Sequence, residues 1–187
     1  MKSLTEQLTS FSAAAQSNPL FKPAIVAAGG IVLLDQATKL AIVHLVKLPE
    51  RLAPCAKAPG AMCRQIAVSP IFDLTYVENR GASFGMLAGG VASRVILSAV
   101  SFGVAVWLLG WLSRLDRTLA AAAVALIIGG AIGNLIDRAV YGYVVDFLDF
   151  SGLYFPWVFN VADAAINVGV GLLLLDAFVN RQEDAAS

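Results

Sequence analysis

Charge is what this 187-residue chain has least of. Only 14% of its residues are charged, and 13 basic residues balance 13 acidic ones. Soluble domains carry about a quarter charged residues, so the shortage excludes an ordinary soluble domain. A zero net charge leaves no basic surface for nucleic acid. Histidine occurs once, as His44, which reads as an interfacial polar residue, and cysteine twice, as Cys55 and Cys63. With no CxxC, no HExxH and no histidine cluster, the sequence holds no ligand set for a catalytic metal, and neither metal nor cofactor is expected. Facing an oxidising compartment, the two cysteines would close a short disulfide loop; two free thiols are the alternative.

Hydrophobic residues, by contrast, make up 58% of the chain. Four runs, approximately 24–46, 92–113, 118–138 and 156–178, approach or exceed the roughly 20 apolar residues that cross about 30 Å of hydrocarbon. They predict a polytopic membrane protein with one four-helix domain, too small for a separate soluble catalytic domain. The first run is no signal peptide, because a mostly polar tail precedes it and Asp35 and Lys39 sit within it. The tail spaces Leu4, Leu8, Phe11 and Ala15 at helical intervals, which suits a helix on the membrane surface; a disordered leader is the alternative. Basic residues are more numerous between the first and second runs and after the third, yet the tight turn SRLDRT (113–118) favours cytoplasmic termini.

Polar residues inside such runs are expensive. An aspartate costs about 2.5–3.5 kcal/mol on insertion scales, so it faces protein or a water-filled cavity. DQATK (35–39) puts Asp35 and Lys39 one turn apart, as an ion pair that locks helix packing or takes a direct part in chemistry. GGAIGNLIDR (129–138) closes the third run. There Gly129, Gly130 and Gly133 admit a close neighbouring helix, and Asn134, Asp137 and Arg138 share a face. Asp137 reads as structural, paired with Arg138 or with a neighbouring helix. FNVADAAINVG (159–169) opens the fourth run with Asn160, Asp163 and Asn167 on one face. Pro156 is expected to start that helix, which places Asp163 roughly two turns inside it.

Two connections have strand character. QIAVSPIFDLTYVEN (65–79) is dense in β-branched and aromatic residues around Pro70, and AVYGYVVDFLDFSGLYFPW (139–157) alternates similarly while carrying Asp146 and Asp149. Open strand edges cannot lie in lipid, so a small sheet at the water interface is expected. ENRGASFGML (78–87) ends the longer connection; Gly81 and Gly85 permit tight geometry, and Asn79 offers both a donor and an acceptor. A short returning loop brings Asp146 towards Asp163 at the membrane surface. Two carboxyls in contact share a proton over a range that includes neutrality. The ionised member takes a proton from an attacking water and the protonated member donates to the carbonyl oxygen, which hydrolyses a peptide bond without metal, serine or cysteine.

Five segments, DQATK, ENRGASF, GGAIGNLIDR, VVDF and FNVADAAINVG, occur in this order and helix context. Over about residues 24–178 the chain resembles bacterial lipoprotein signal peptidase, also called signal peptidase II. The resemblance implies an intramembrane aspartyl endopeptidase that cuts prolipoproteins just before a cysteine carrying diacylglycerol. It implies a catalytic pair, Asp146 and Asp163, with Asp35, Lys39, Asn79, Gly81, Asn134, Asp137, Arg138 and Asn160 supporting or binding substrate. It also implies four transmembrane helices (an all-α membrane protein) with a small extracytoplasmic β-cradle, to which 65–79 is suited. The expected layout is a cytoplasmic tail 1–22, a peptidase domain 23–178 with its loop and cradle at about 47–91 and 139–155, and a C-terminal tail 179–187. A monomer is implied, in contact with lipids of the bacterial inner membrane and with its active site on the extracytoplasmic side. The competing class is a small transporter, in which Asp35, Lys39, Asp137 and Asp163 line an ion path. The gathering of polar groups at one end and the lack of an inverted repeat speak against it. A pure scaffold explains the polar cluster least well.

Overall fold

The computed structural model describes residues 3–52, 65–81 and 90–186. Cys55, Cys63 and Gly85 lie outside the described residues. Helix α1 (Leu4–Ser17) is followed by α2 (Phe21–Leu40), which continues through a π-helical turn at Ala41–Leu45, and by the short α3 (Leu48–Leu52). Strands β1 (Gln65–Ser69) and β2 (Phe72–Asn79) form a hairpin, then come α4 (Val91–Leu112) and α5 (Thr118–Val140). Strands β3 (Val144–Asp149) and β4 (Val158–Phe159) precede α6 (Val161–Ala186). Among the described residues, four helices are long and apolar enough to cross a membrane: Phe21–Leu45, Val91–Leu112, Thr118–Val140 and Val161–Val179.

Helix α5 is the axis of the bundle, with α2, α4 and α6 packed around it. Its small residues explain the position. Ala120, Ala121, Ala123, Ala125, Gly129 and Gly130 are buried and let neighbouring backbones approach. A Cβ on Gly129 would come within 2.7 Å of Ala28 O on α2, and one on Gly130 would run into Ala162 O on α6. The expectation that these glycines admit a close helix therefore holds on two sides of α5. Outward faces of the other helices expose large apolar side chains, such as Leu33 at 73%, Trp107 at 65% and Leu174 at 68%, as lipid-facing surfaces do.

The sheet is antiparallel throughout, in the order β1-β2-β3-β4. The stretch 65–79 is thus two strands, broken at Pro70 and Ile71, because proline cannot donate to a ladder. Val77 pairs with Asp146 and Asn79 with Val144, which lays the end of β2 alongside Asp146. Val145 and Phe147 point into a small core with Ile42 and the fully buried Leu48, tying the sheet to the end of α2.

Of the two readings left open for the N-terminal tail one is realised, and two further expectations are corrected. The N-terminal tail is a helix, with a reciprocal cap in which Glu6 N donates to Ser3 Oγ and Ser3 N to Glu6 Oε2. Asn18 ends it and docks it, donating from Nδ2 to Leu112 O at 3.0 Å and Leu115 O at 2.8 Å. Pro156 does not start the fourth helix. Val158 and Phe159 instead pair with Asp149 and Leu148, keeping the chain extended until Asn160 caps the helix. Asp163 consequently stands in the first turn of α6, not two turns inside it.

Candidate active site

The C-terminal end of α2, the C-terminal end of α5, the N-terminus of α6 and strand β3 meet at one end of the bundle. Each delivers polar side chains. The foundation is a buried ion cluster. Lys39 Nζ lies 2.8 Å from Asp35 Oδ2 and 2.8 Å from Asp137 Oδ2, and donates to Asn134 Oδ1 at 3.2 Å. All four side chains are almost fully buried. Charges removed from water this completely need compensating partners, and here every carboxylate oxygen of Asp35 and Asp137 has at least one. Asp35 Oδ1 accepts the Ala162 N–H at 2.9 Å, and Asp137 Oδ2 accepts the Val145 N–H at 3.0 Å. The cluster thereby holds the backbone of α6 and β3, the two elements that carry Asp163 and Asp146.

Gln36 completes it. Its Nε2 donates to Asp137 Oδ1 at 2.9 Å, to Asp35 Oδ2 at 3.1 Å and to Gly133 O at 3.2 Å. Sequence reasoning passed over this residue, although a glutamine beside Asp35 in an apolar run was a visible signal. The ion pair expected for Asp35 and Lys39 is present. Asp137 pairs with the neighbouring helix through Lys39; Arg138 donates instead to Asn134 O at 3.4 Å.

Above the cluster lies a chain of amides. Asn160 Nδ2 donates to Asp146 Oδ1 at 2.7 Å and to Asn134 Oδ1 at 3.2 Å, while Asn134 Nδ2 donates to Asp163 Oδ1 at 2.7 Å. Asn160 Oδ1 accepts the Asp163 N–H at 2.9 Å, the N-cap bond of α6. One network of two asparagines thus bridges the two carboxyls. The second oxygen of Asp146 accepts from Asn79 Nδ2 at 3.0 Å, and Asn79 Oδ1 accepts the Gly81 N–H at 3.0 Å. Gly81 adopts φ +78, in the left-handed region that glycine enters at no steric cost. Asn167, by contrast, is exposed and donates only along its own helix, to Asp163 O.

Asp146 is 1% exposed. Burial pushes its carboxyl up to about 7, the Asp163 charge adds to the rise, and the bonds from Asn79 and Asn160 with the charge of Lys39 oppose it. Asp149, three residues on, behaves otherwise. Burial resists its ionisation too, but Thr75 Oγ1 at 2.6 Å and the Ser151 N–H at 2.9 Å hold it below the usual carboxylate range. An open groove of about 310 Å³ leads to Asp146, lined by Asn79, Arg80, Pro156 and Trp157 among others. Among the described residues no group of three or more His, Cys, Asp and Glu is arranged to hold a metal. The arrangement is suited to acid–base chemistry at a carbonyl presented through the groove.

A family model described as "Signal peptidase (SPase) II" matches residues 27–179. The lipoprotein signal peptidase of Caulobacter vibrioides is 48% identical over 152 residues, covering 81% of this chain and 83% of that protein. That of Syntrophotalea carbinolica is 45% identical over 159 residues, covering 83% and 90%. Among solved structures, a bacterial membrane enzyme determined by the in meso method at 2.3 Å resolution superposes with a TM-score of 0.67. It is 26% identical, and the match covers 87% of this chain and 91% of the other. With the family model running from α2 to α6, across the sheet and the amide-bridged carboxyls, the chain belongs to the signal peptidase II family of aspartic peptidases.

Proposed function

We propose that Asp146 and Asp163 are the catalytic pair with which this signal peptidase II removes signal peptides from prolipoproteins, cutting just before the diacylglyceryl-modified cysteine. The observation that carries the assignment is the amide bridge, in which Asn160 and Asn134 tie Asp146 Oδ1 to Asp163 Oδ1. It supports a division of labour. Asp146, raised to about 7, is the member that keeps a proton up to the neutral range and donates it to the carbonyl oxygen. Asp163 takes the proton of the attacking water, and the amides keep both carboxyls in place as charge moves between them. As the C–N bond of the tetrahedral intermediate breaks, Asp163 gives its proton to the leaving amine and one hydroxyl of the intermediate returns a proton to Asp146, restoring the starting pair. Asp35, Lys39 and Asp137 act through the backbone of α6 and β3, and Asn79 and Gly81 shape the mouth of the groove.

The enzyme works as a monomer in the bacterial inner membrane, surrounded by lipid, with the sheet and the groove on the extracytoplasmic side. The layout that fits is a cytoplasmic tail 1–22, a membrane peptidase domain 23–178 and a tail 179–187. The purified chain, given a lipidated prolipoprotein and the same peptide without lipid, is expected to cut the first just before its modified cysteine, with or without a chelator. Equal turnover of the unlipidated peptide, or activity lost to EDTA and restored by zinc, would contradict the assignment.

A further inference from the structure

Among the cavities that the described residues form apart from the groove at Asp146 is one of about 200 Å³ with a polar lining. It lies between Arg80 at the end of β2, Val91 and Arg94 in the first turn of α4, and Tyr141, Gly142 and Tyr143 in the turn from α5 into β3. Two guanidinium groups line it and no carboxylate does. Each is fixed on one side. Arg94 Nη2 donates to Ala139 O at 3.0 Å, and its Nη1 lies over bare backbone, since a Cβ on Gly142 would come within 3.3 Å of it. Arg80 sits 5.4 Å from the centre of the Tyr143 ring, with Nη2 on Glu78 at 2.7 Å. Five donors per guanidinium leave several of each to turn towards the cavity.

Two further features agree in sign and in place. Helix α4 begins at Gly90, which has no side chain of its own to cap it, and the positive end of the helix dipole has the same sign as the arginines. The flank of the cavity is apolar and open: Val91 is 78% exposed, Val95 58% and Val140 66%, on helices that span the membrane. A bidentate cationic seat bordered by a lipid-facing wall fits a ligand with an anionic head and hydrocarbon tails.

We propose that this cavity seats the phosphate group of an anionic membrane phospholipid, held by Arg94 and Arg80, with its acyl chains along the Val91–Val95 face of α4. The site shares Arg80 with the groove at Asp146 but does not depend on the peptidase reading, because its test reads binding rather than cleavage. The full-length protein in detergent is titrated, by native mass spectrometry and thermal shift, with phosphatidylglycerol, with diacylglycerol of the same chains, and with inorganic phosphate. Phosphatidylglycerol is expected to bind and to raise Tm, while the other two at equal concentration do neither. Arg94→Gln should weaken phosphatidylglycerol about tenfold, the loss of a charge-assisted contact. In the unmodified protein, about a tenfold rise in salt should weaken it as well, which decides the matter even if the variant fails to fold. Equal binding of diacylglycerol would assign the contact to the acyl chains alone, and equal binding of inorganic phosphate to a soluble anion. Either outcome, an unchanged Kd in Arg94→Gln, or insensitivity to salt overturns the proposal.

Discussion

A carboxyl at 1% exposure with a pKa of about 7 makes Asp146 the residue whose proton pH governs most directly. In the unfolded chain an aspartate titrates near 3.9. Because the folded value is the higher one, the stabilising effect of the bound proton is complete below about pH 4 and is lost as pH rises through about 7. The cost is on the order of 4 kcal/mol. Thermal stability of the wild type is therefore expected to decline between about pH 4 and 7, with the slope largely absent from Asp146→Asn; parallel curves for the two proteins would refute the raised carboxyl. The rate should follow a bell with an upper limb near 7, since the pair titrates as a unit. Both aspartates were legible in the sequence as carboxyls near an apolar run. The depth of Asp163 was not, because Phe155–Phe159 is as apolar as a helix and only its pairing with β3 shows it to be extended. The role of Gln36 was only partly visible: Asp35 is its neighbour in sequence, but Gly133 and Asp137 lie on α5, about a hundred residues away.

Helices here are held by two devices, close approach and a buried charge cluster, and each makes a prediction. Gly130 meets the backbone of α6 beside Ala162, whereas Gly103 on α4 has nothing within 4 Å of its missing Cβ. Gly130→Ala is expected to cost about 1–3 kcal/mol and to lower activity by moving the first turn of α6. Gly103→Ala should leave both unchanged or gain a few tenths of a kcal/mol. Equal melting temperatures for the two variants would remove the packing argument. Lys39→Met strips the counter-charge from Asp35 and Asp137, both at 0% exposure, and should cost about 3–5 kcal/mol. A folded yield and Tm close to wild type would show that the cluster is not what secures β3 and α6. The GGAIG spacing announced the first device before any coordinates. The second was half visible: Asp35 and Lys39 share a helix face, but their third member, Asp137, joins them only through tertiary packing.

At the scale of the molecule, the bundle is polar at one end, and the sheet closes that end. Composition predicted four crossings, and all four helices are present with boundaries moved by at most five residues. Hydrophobic runs mark where a helix fits in lipid and not where its caps lie, so the ends shifted while the number held. The orientation proposed here is open to labelling. In a background without Cys55 and Cys63, Tyr154→Cys, at a position 98% exposed beside the groove, should react with an impermeant thiol reagent from the extracytoplasmic face. Arg114→Cys, in the turn between α4 and α5, should react only after the membrane is opened; the reverse pattern would invert the topology. The central claim is that Asp146 and Asp163 act as one pair, and single-turnover cleavage of a lipidated prolipoprotein by purified variants tests it most directly. Asp146→Asn and Asp163→Asn are each expected to lose about 10³-fold or more, and the double variant no more than either alone, because groups acting as a unit are not additive. Asp149→Asn should stay within about threefold of wild type, as a residue bonded away from the groove. Substantial turnover by either of the first two variants, with the protein folded in the membrane, would contradict the account.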